Sequence, residues 1–367
     1  MKIIHCADLH LDSPMRANLD PVKSKERKLE LLETFRNLVK YAVSEEAEAV
    51  LIAGDLFDSR HVSQSVIHAF LRQIESNRQI TFYYLRGNHD AMSLPRSEGL
   101  PENLKLFSDS WMKYRIGDGH VMLYGVEFNG ANENSIYEDL NPDPHDFNIV
   151  MLHGQTTEHN MGDRTEYIQV RQLAGRGIDY LALGHVHSYV HEKVDDRCSY
   201  YFPGCLEARG FDETGEHGFI LLDIDETDDT YSARFVPFSM RRYYTVEVDV
   251  SGLMTSEEML EAIESVVDAC KIDESSLLKI VLKGEVDVTC EKNPDHILHP
   301  FTKRFYYAKL VDETGMMVDF RMYAFDESLK GEFIRNVLAT DLTDAEKGEV
   351  IHYGIMALKG DVEEFAQ

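Results

Sequence analysis

Short apolar runs, each closed by a polar or glycine-containing turn, recur through the first 240 positions: KIIHCAD (2–8), AVLIAGD (49–55), ITFYYLRG (80–87), VMLYGVEF (121–128), FNIVMLHG (147–154) and IDYLALGH (178–185), then YYFPG, HGFILLDI and ARFVPF. Runs of this length and composition predict buried strands. Between them the period changes. Leu31, Leu32, Phe35, Leu38, Val39 and Ala42 fall at helical spacing within 25–46, leaving Lys25, Lys28 and Glu33 outward, and Val66, Ile67, Phe70, Leu71 and Ile74 repeat the pattern. Strands with helices interspersed predict an α/β (α+β) fold of stacked β-sheets flanked by helices.

Near residue 240 the pattern shifts. YYTVEVDV, an amphipathic stretch at 256–269, LLKIVLKGEV and MMVDFRMYAF read as strand, helix, strand and a further strand, a smaller α/β domain at 241–325. From 326 to 367 the composition is helical, and Thr343 or Asp344 is placed to cap the last helix. Leu329, Phe333, Ile334 and Val337 form one apolar face there, which is either a docking site for a partner or a surface packed on the protein's own domain. The organisation predicted is thus 1–240, 241–325 and 326–367.

The bulk properties narrow the function classes. At 367 residues, 43% hydrophobic and 28% charged, the chain has the balance of a soluble protein of two or more domains. It has no apolar stretch near the roughly 18 residues a membrane span needs, and MKIIHCADLH turns polar where a signal peptide would stay apolar. A cytoplasmic protein is expected. Five scattered cysteines without a C-x-x-C pair argue against a disulfide framework and a thiolate zinc site. The net charge of −28 opposes tight, unaided binding to a polyanion, so any nucleic-acid contact must be local.

The chemistry gathers where the apolar runs end: ADLH (Asp8, His10), GDLFD (Asp55, Asp58), GNHD (Asn88, His89, Asp90), LHG (His153) and GHVH (His185, His187). Ligands of open α/β sheets collect at the carboxyl ends of strands, so these residues can converge although they span half the chain. On extended backbone Asp8 and His10, or His185 and His187, would point the same way; where GHVH leaves its strand the two imidazoles could instead diverge to neighbouring ions. Burying so many carboxylates and imidazoles without a cation would be strongly unfavourable. Carboxylate, amide oxygen and imidazole suit Mn, Fe, Co or Zn in a working site.

In this order, D-x-H, G-D-x-x-D, G-N-H-D, a lone His and G-H-x-H, the motifs resemble the calcineurin-like metallophosphoesterases over roughly residues 1–240. The resemblance implies an αββα sandwich and two divalent metal ions, manganese first among them. It assigns Asp8, His10, Asp55 and His187 to one metal and Asp55, Asn88, His153 and His185 to the other, with Asp55 bridging. His89 would stand over the scissile phosphate, oriented by Asp90, while water activated between the metals attacks. Gly87 would permit the tight turn of the GNHD segment.

Within that family the extreme N-terminal start, ADLHLDSP, GDLFD and FPGCLEARGFDE (202–213) are similar to DNA-repair nucleases of the SbcD and YhaO type. That likeness implies DNA as substrate, a DNA-facing cap after residue 240, an SMC-like ATPase as partner at the C-terminal helices, and no membrane; a homodimer is compatible with it. Asp58 stands where some archaeal relatives have His, Asp12 where Gly is usual, and Cys205 where Ser is common. A phosphatase or phosphodiesterase acting on small or protein-bound phosphates is the alternative, favoured by the acidic balance, and a non-catalytic adaptor is opposed by the full donor set. For DNA contact the candidates are Arg241 and Arg242 beside Tyr243 and Tyr244, and the run FTKRFYYAK with Lys303, Arg304 and Lys309. Aromatics of a core strand, with the charges left to solvent, would give the same pattern.

Overall fold

Strands β1 (Lys2–Cys6) and β2 (Ala49–Ala53) pair in parallel, and their side chains alternate between two cores. Ile3, Ala49, Leu51 and Ala53 enter one; Ile4, Cys6, Val50 and Ile52 enter the other. Both faces are covered, which is why AVLIA of β2 is apolar without a break. This computed structural model describes residues 1–15, 19–58, 62–90, 99–129, 132, 135–156, 167–287, 290–317, 323 and 325–359. The chain divides into two compact units, Met1–Arg242 and Tyr243–Gln367.

In the first unit, helices α1 (Pro21–Ser44) and α2 (Gln64–Glu75) follow β1 and β2. Next come β3 (Thr81–Leu85), β4 (Leu104–Leu106), β5 (Met112–Ile116), β6 (Val121–Gly125), α3 (Ser135–Asp139) and β7 (Phe147–His153). After them come β8 (Tyr180–Gly184), β9 (Val190–Lys193), β10 (Ser199–Phe202), β11 (Gly218–Asp225) and β12 (Thr230–Pro237). They build two mixed six-stranded sheets, ordered β12-β11-β1-β2-β3-β4 and β5-β6-β7-β8-β10-β9. Leu31, Phe35 and Leu38 of α1 and Phe70 and Ile74 of α2 cover the outer face of the first sheet, and Ile136 and Tyr137 of α3 pack on Val150, Leu152 and Leu181 of the second. The inner faces share a core of Leu51, Ala53, Leu85, Met151 and Ala182. At the site end the sheets nearly touch: a Cβ on Gly184 would fall on the Ala53 carbonyl.

One polar residue crosses that core. His5 on β1 is fully buried; its Nδ1 meets the Tyr180 hydroxyl at 2.9 Å and its Nε2 the Leu183 carbonyl at 3.2 Å, both on β8. A carbonyl can only accept, so Nε2 carries the proton and Nδ1 accepts from tyrosine. Burial pushes the imidazole down to about 3, against the Leu183 hydrogen bond, which raises it.

Helix α1 starts at Pro21, four positions before the helical spacing predicts, because the Asp20 carboxylate accepts from the backbone N–H of Val22 (2.9 Å) and Lys23 (3.0 Å) and Pro21 occupies the first helical position. That first turn is exposed and carries no apolar periodicity.

In the second unit, β13 (Tyr243–Asp249), β14 (Leu277–Lys283) and β16 (Tyr307–Asp312) form a parallel sheet packed by α4 (Ser256–Ala269) and α5 (Pro294–Arg304). A short parallel pair joins β15 (Glu285–Asp287) to β17 (Gly315–Met317). Most of the expected strand MMVDFRMYAF beyond Met317 lies outside the described residues. Helices α6 (Leu329–Leu338) and α7 (Asp344–Lys359) follow, and Thr343 caps α7, its Oγ1 accepting from the Glu346 N–H at 3.4 Å. Ile334 and Val337 are buried against Ile351 and Ile355, whereas Leu329 is 68% exposed. Phe333 packs against the same cluster, so three of the four residues of the face read as either a docking site or an internal surface close the helix pair, and Leu329 alone of the four stays exposed. No described helix is long and apolar enough to cross a membrane.

Candidate metal centre

Four of the donors sit on backbone that is not extended. Asp8, His10 and Asp55 have φ of 51°, 43° and 48°, and His185 has 107°. Such left-handed backbone costs non-glycine residues about 1–3 kcal/mol each. The alternation expected for Asp8 and His10 is thus replaced by a coiled turn, because β1 ends at Cys6. Main-chain bonds hold that turn to the loop after β2: Asp8 N to Gly54 O at 3.1 Å, His10 N to Asp55 O at 3.0 Å and Leu11 N to Leu56 O at 2.8 Å.

The turns bring two donor groups together, Asp8–His10–His187 and Asp55–His153–His185, so the two imidazoles of GHVH do diverge. Asp55 Oδ2 faces both groups, 3.9 Å from His10 Nε2 and 3.5 Å from His153 Nε2. Asn88 Oδ1 lies 3.1 Å from His153 Nε2, and the His185 N–H donates to both oxygens of Asp8 at 3.0 and 2.9 Å. Burial would raise the Asp55 carboxyl, but the charges of His153, His10 and His89 outweigh it and hold it far below the usual carboxylate range. His153 is pushed down by burial and pulled up more strongly by Asp55, to about 10.

The donor set fits cations. His10 Nε2 and His187 Nε2 face each other at 3.2 Å, while each ring turns Nδ1 to a carboxylate: Asp58 Oδ1 at 3.1 Å and Glu213 Oε1 at 2.7 Å. His187 Nδ1 donates to Glu213, and His10 Nδ1 turns toward Asp58 without the alignment of a hydrogen bond, so both Nε2 atoms can offer lone pairs to one cation. A third cluster, His187, Cys205 and Glu213, shares His187. Burial, with Glu213 nearby, raises the Cys205 thiol well above its usual range, which leaves it a neutral, packed thiol.

The GNHD segment divides its tasks. Asn88 and His89 are exposed, and the His89 N–H donates to Asp55 Oδ1 at 3.1 Å while its Nε2 is 4.0 Å from Asp55 Oδ2. The His89 ring stands edge-on to His10 with centroids 5.4 Å apart. Asp90, expected to orient His89, is fully buried and accepts from three backbone N–H groups: Leu56 at 3.0 Å, Phe57 at 2.8 Å and Gly87 at 3.1 Å. It thereby ties the His89 loop to the Asp55 loop. Burial and the Asp55 charge push Asp90 up to about 6, against those donors. Gly87 is needed for space, not for a left-handed turn: a Cβ there would fall on the Asp55 carboxylate.

Three residues behind the donors escape a motif reading as a set: Asp58, Arg209 and Glu213. Arg209 donates to Asp58 Oδ1 at 2.6 Å and to Glu213 Oε1 at 3.2 Å. The sequence signal is their place in the GDLFD and FPGCLEARGFDE segments, which assigns them no role. Asp12 is engaged elsewhere, with Lys28 Nζ at 2.8 Å and the Ser63 N–H at 2.8 Å.

The candidate DNA contacts divide between the two units. Arg241 pairs with Glu30 at 2.8 Å and Arg242 with Glu216 at 2.9 Å, in the first unit. In the second, Lys303 and Arg304 close the last turn of α5, not a strand, and Arg304 pairs with Asp268 at 2.5 Å and lies 5.1 Å from the Phe305 ring centre. Asn293 and Pro294 start that helix, with the Asn293 side chain accepting from the His296 N–H at 3.1 Å.

Residues 1–189 match the calcineurin-like phosphoesterase family. The chain belongs to that family. The family match supports a metal-dependent phosphoesterase. The chain is 30% identical to an uncharacterized metallophosphoesterase, YhaO, of Bacillus subtilis over 244 residues, 63% of this chain and 59% of that protein, less than two thirds of the relative's length. It is 23% identical to the DNA double-strand break repair protein Mre11 of Methanopyrus kandleri over 397 aligned positions, 98% of this phosphoesterase and 82% of the relative. A dimetal phosphatase from Danio rerio superposes with a TM-score of 0.41 at 9% identity, over 60% of this chain and 92% of that one.

Proposed function

We propose that the chain is a phosphodiesterase that cleaves DNA, a nuclease of the SbcD and YhaO type, with two divalent cations, manganese foremost, at the strand ends. The observation that carries the reading is the Asp55 carboxylate, which lies between two groups of imidazoles and carboxylates with an exposed imidazole, His89, beside it. Asp8, His10, Asp55 and His187 would hold one cation, and Asp55, Asn88, His153 and His185 the other. When bound, the cations supply Lewis acidity and neutralise charge on the phosphate.

The chain's own side chains do the rest. Asp55, held ionised by its histidines, keeps the two positions at a fixed separation. His89, outside both donor groups and open to solvent, meets the phosphate and gives its proton to the departing oxygen. Asp90 keeps that imidazole in place through the backbone. DNA as the substrate is supported by the extent of the match to a DNA repair protein, which runs through the second unit as well as the first. Cytoplasmic location and an SMC-like ATPase partner at α6 and α7 belong to the same reading, with exposed Leu329 as the docking position that remains after Ile334 and Val337 are spent internally.

The net charge of −28 favours a second reading, hydrolysis of small or protein-bound phosphates. Turnover of single-stranded DNA, duplex ends and a small bis-ester, measured side by side with manganese, separates the two. DNA cleavage is expected; hydrolysis of the bis-ester alone would transfer the assignment to the second.

A further inference from the structure

The two donor groups are anchored differently. His153 of the second group turns Nδ1 to a main-chain carbonyl, that of Ala53, at 2.9 Å. His10 and His187 of the first group turn theirs to side chains, Asp58 and Glu213. Those carboxylates come from separate segments, one after β2 and the other after β10, and neither is held by regular secondary structure. What joins them is Arg209. Its two terminal nitrogens bind Asp58 Oδ1 and Glu213 Oε1, the same oxygens that face the imidazoles, and its own backbone N–H donates to Glu213 Oε2 at 2.7 Å. The three side chains are only 21%, 18% and 11% exposed, so the pairing is shielded from solvent.

Resting on the two-cation reading above, we propose that Arg209 is the positioning residue for one half of the centre. By holding Asp58 and Glu213 at once it fixes the orientation of both rings and the tautomer of His187, so that both Nε2 atoms are offered to the same cation. A planar fork can span two carboxylates in this way; a lysine ammonium, a point charge on a flexible stem, cannot hold both in register. The second group, anchored on Ala53 and Asp55, does not depend on it. Arg209 therefore makes the two positions unequal in what they need from the fold.

The test is titration of chelator-stripped protein with Mn²⁺ by calorimetry, with electron paramagnetic resonance on the same samples. Wild-type protein should show two binding events and the signature of a coupled manganese pair. Arg209→Ala should weaken one event by about 10–100-fold, the usual effect of losing a partner behind a ligand, leave the other unchanged and yield an uncoupled signal. Arg209→Lys, which keeps the charge and a similar stem, should weaken the same event less, and it carries the test if the alanine variant folds poorly. Two events at wild-type affinity in both variants, or equal weakening of both events, would overturn the role of Arg209. A wild-type protein that bound fewer than two ions would remove the two-cation reading beneath it, whatever the variants did.

Discussion

His153 Nε2 stands 3.5 Å from Asp55 Oδ2, although the first residue ends a strand of one sheet and the second follows a strand of the other. The carboxylate faces both donor groups. Asp55→Asn keeps the shape and removes the charge, so it should abolish binding of both cations together with turnover. Metal analysis of protein loaded with manganese checks this; retention of two ions per chain would deny Asp55 its bridging place.

His89 should behave in the opposite way. His89→Ala is expected to keep the full metal content and lose turnover on a small bis-ester by about 10²–10⁴-fold, the range for a general acid–base group. Release of metal from this variant would make His89 a ligand instead.

His5 gives the fold a pH dependence of its own. Its pKa is depressed, to about 3 in the folded protein, from about 6.5 in an unfolded chain. The unfolded chain therefore binds the proton first, and the stability His5 contributes is complete above about pH 6.5 and lost as the pH falls toward 3. Between those limits the slope is up to about 1.4 kcal/mol per pH unit. Urea unfolding of metal-free wild type and His5→Gln from pH 7 to 4 should show the steeper fall in wild type. Parallel slopes would mean that the imidazole is not kept neutral in the core.

The helix pair near the C-terminus predicts a contrast. Ile334→Ala should cost about 2–5 kcal/mol of that unit's stability, as a fully buried residue does, whereas Leu329→Asp should stay within about 0.5 kcal/mol. Denaturation followed by a probe in the second unit measures both. Capture of an SMC-like ATPase by wild type and its loss in Leu329→Asp would place the partner on the exposed remainder of the face.

For DNA, reversing Lys303 and Arg304 to Glu should lower cleavage and flatten its dependence on salt, by up to about 0.7–0.9 in the logarithmic slope for each phosphate no longer neutralised. Bis-ester hydrolysis should be unchanged. Equal losses on both substrates would show that the end of α5 is needed for folding.

Buried strands and helix period are readable in the sequence because runs such as AVLIA and the stripe from Leu31 to Ala42 leave a one-dimensional trace. The donors are readable because each ends such a run. Less visible is anything set by three-dimensional closure. The left-handed backbone at Asp8 and His10 contradicts the local expectation of alternation, and only the main-chain bonds to Gly54 and Asp55 explain it. Lys303 and Arg304 fall in a strand-like run because Phe305, Tyr306 and Tyr307 dominate the local pattern, while the helix start at Asn293 and Pro294 that decides the matter lies ten residues earlier. Arg209 and Glu213 lie in the quoted FPGCLEARGFDE segment, but their role appears only once Asp58 and His187 are beside them.

The donors come from both sheets: Asp8, His10, Asp55 and Asn88 from the ends of β1, β2 and β3, and His153, His185 and His187 from the ends of β7 and β8. Each cation would thus rivet one sheet to the other, and unfolding must surrender it. Any ligand that binds only the folded form adds RT ln(1 + [L]/Kd), about 2.7 kcal/mol at a concentration one hundred times Kd. The enzyme's lifetime in a cell would then follow the supply of free metal, and starvation for the ion would remove the protein as well as silence it.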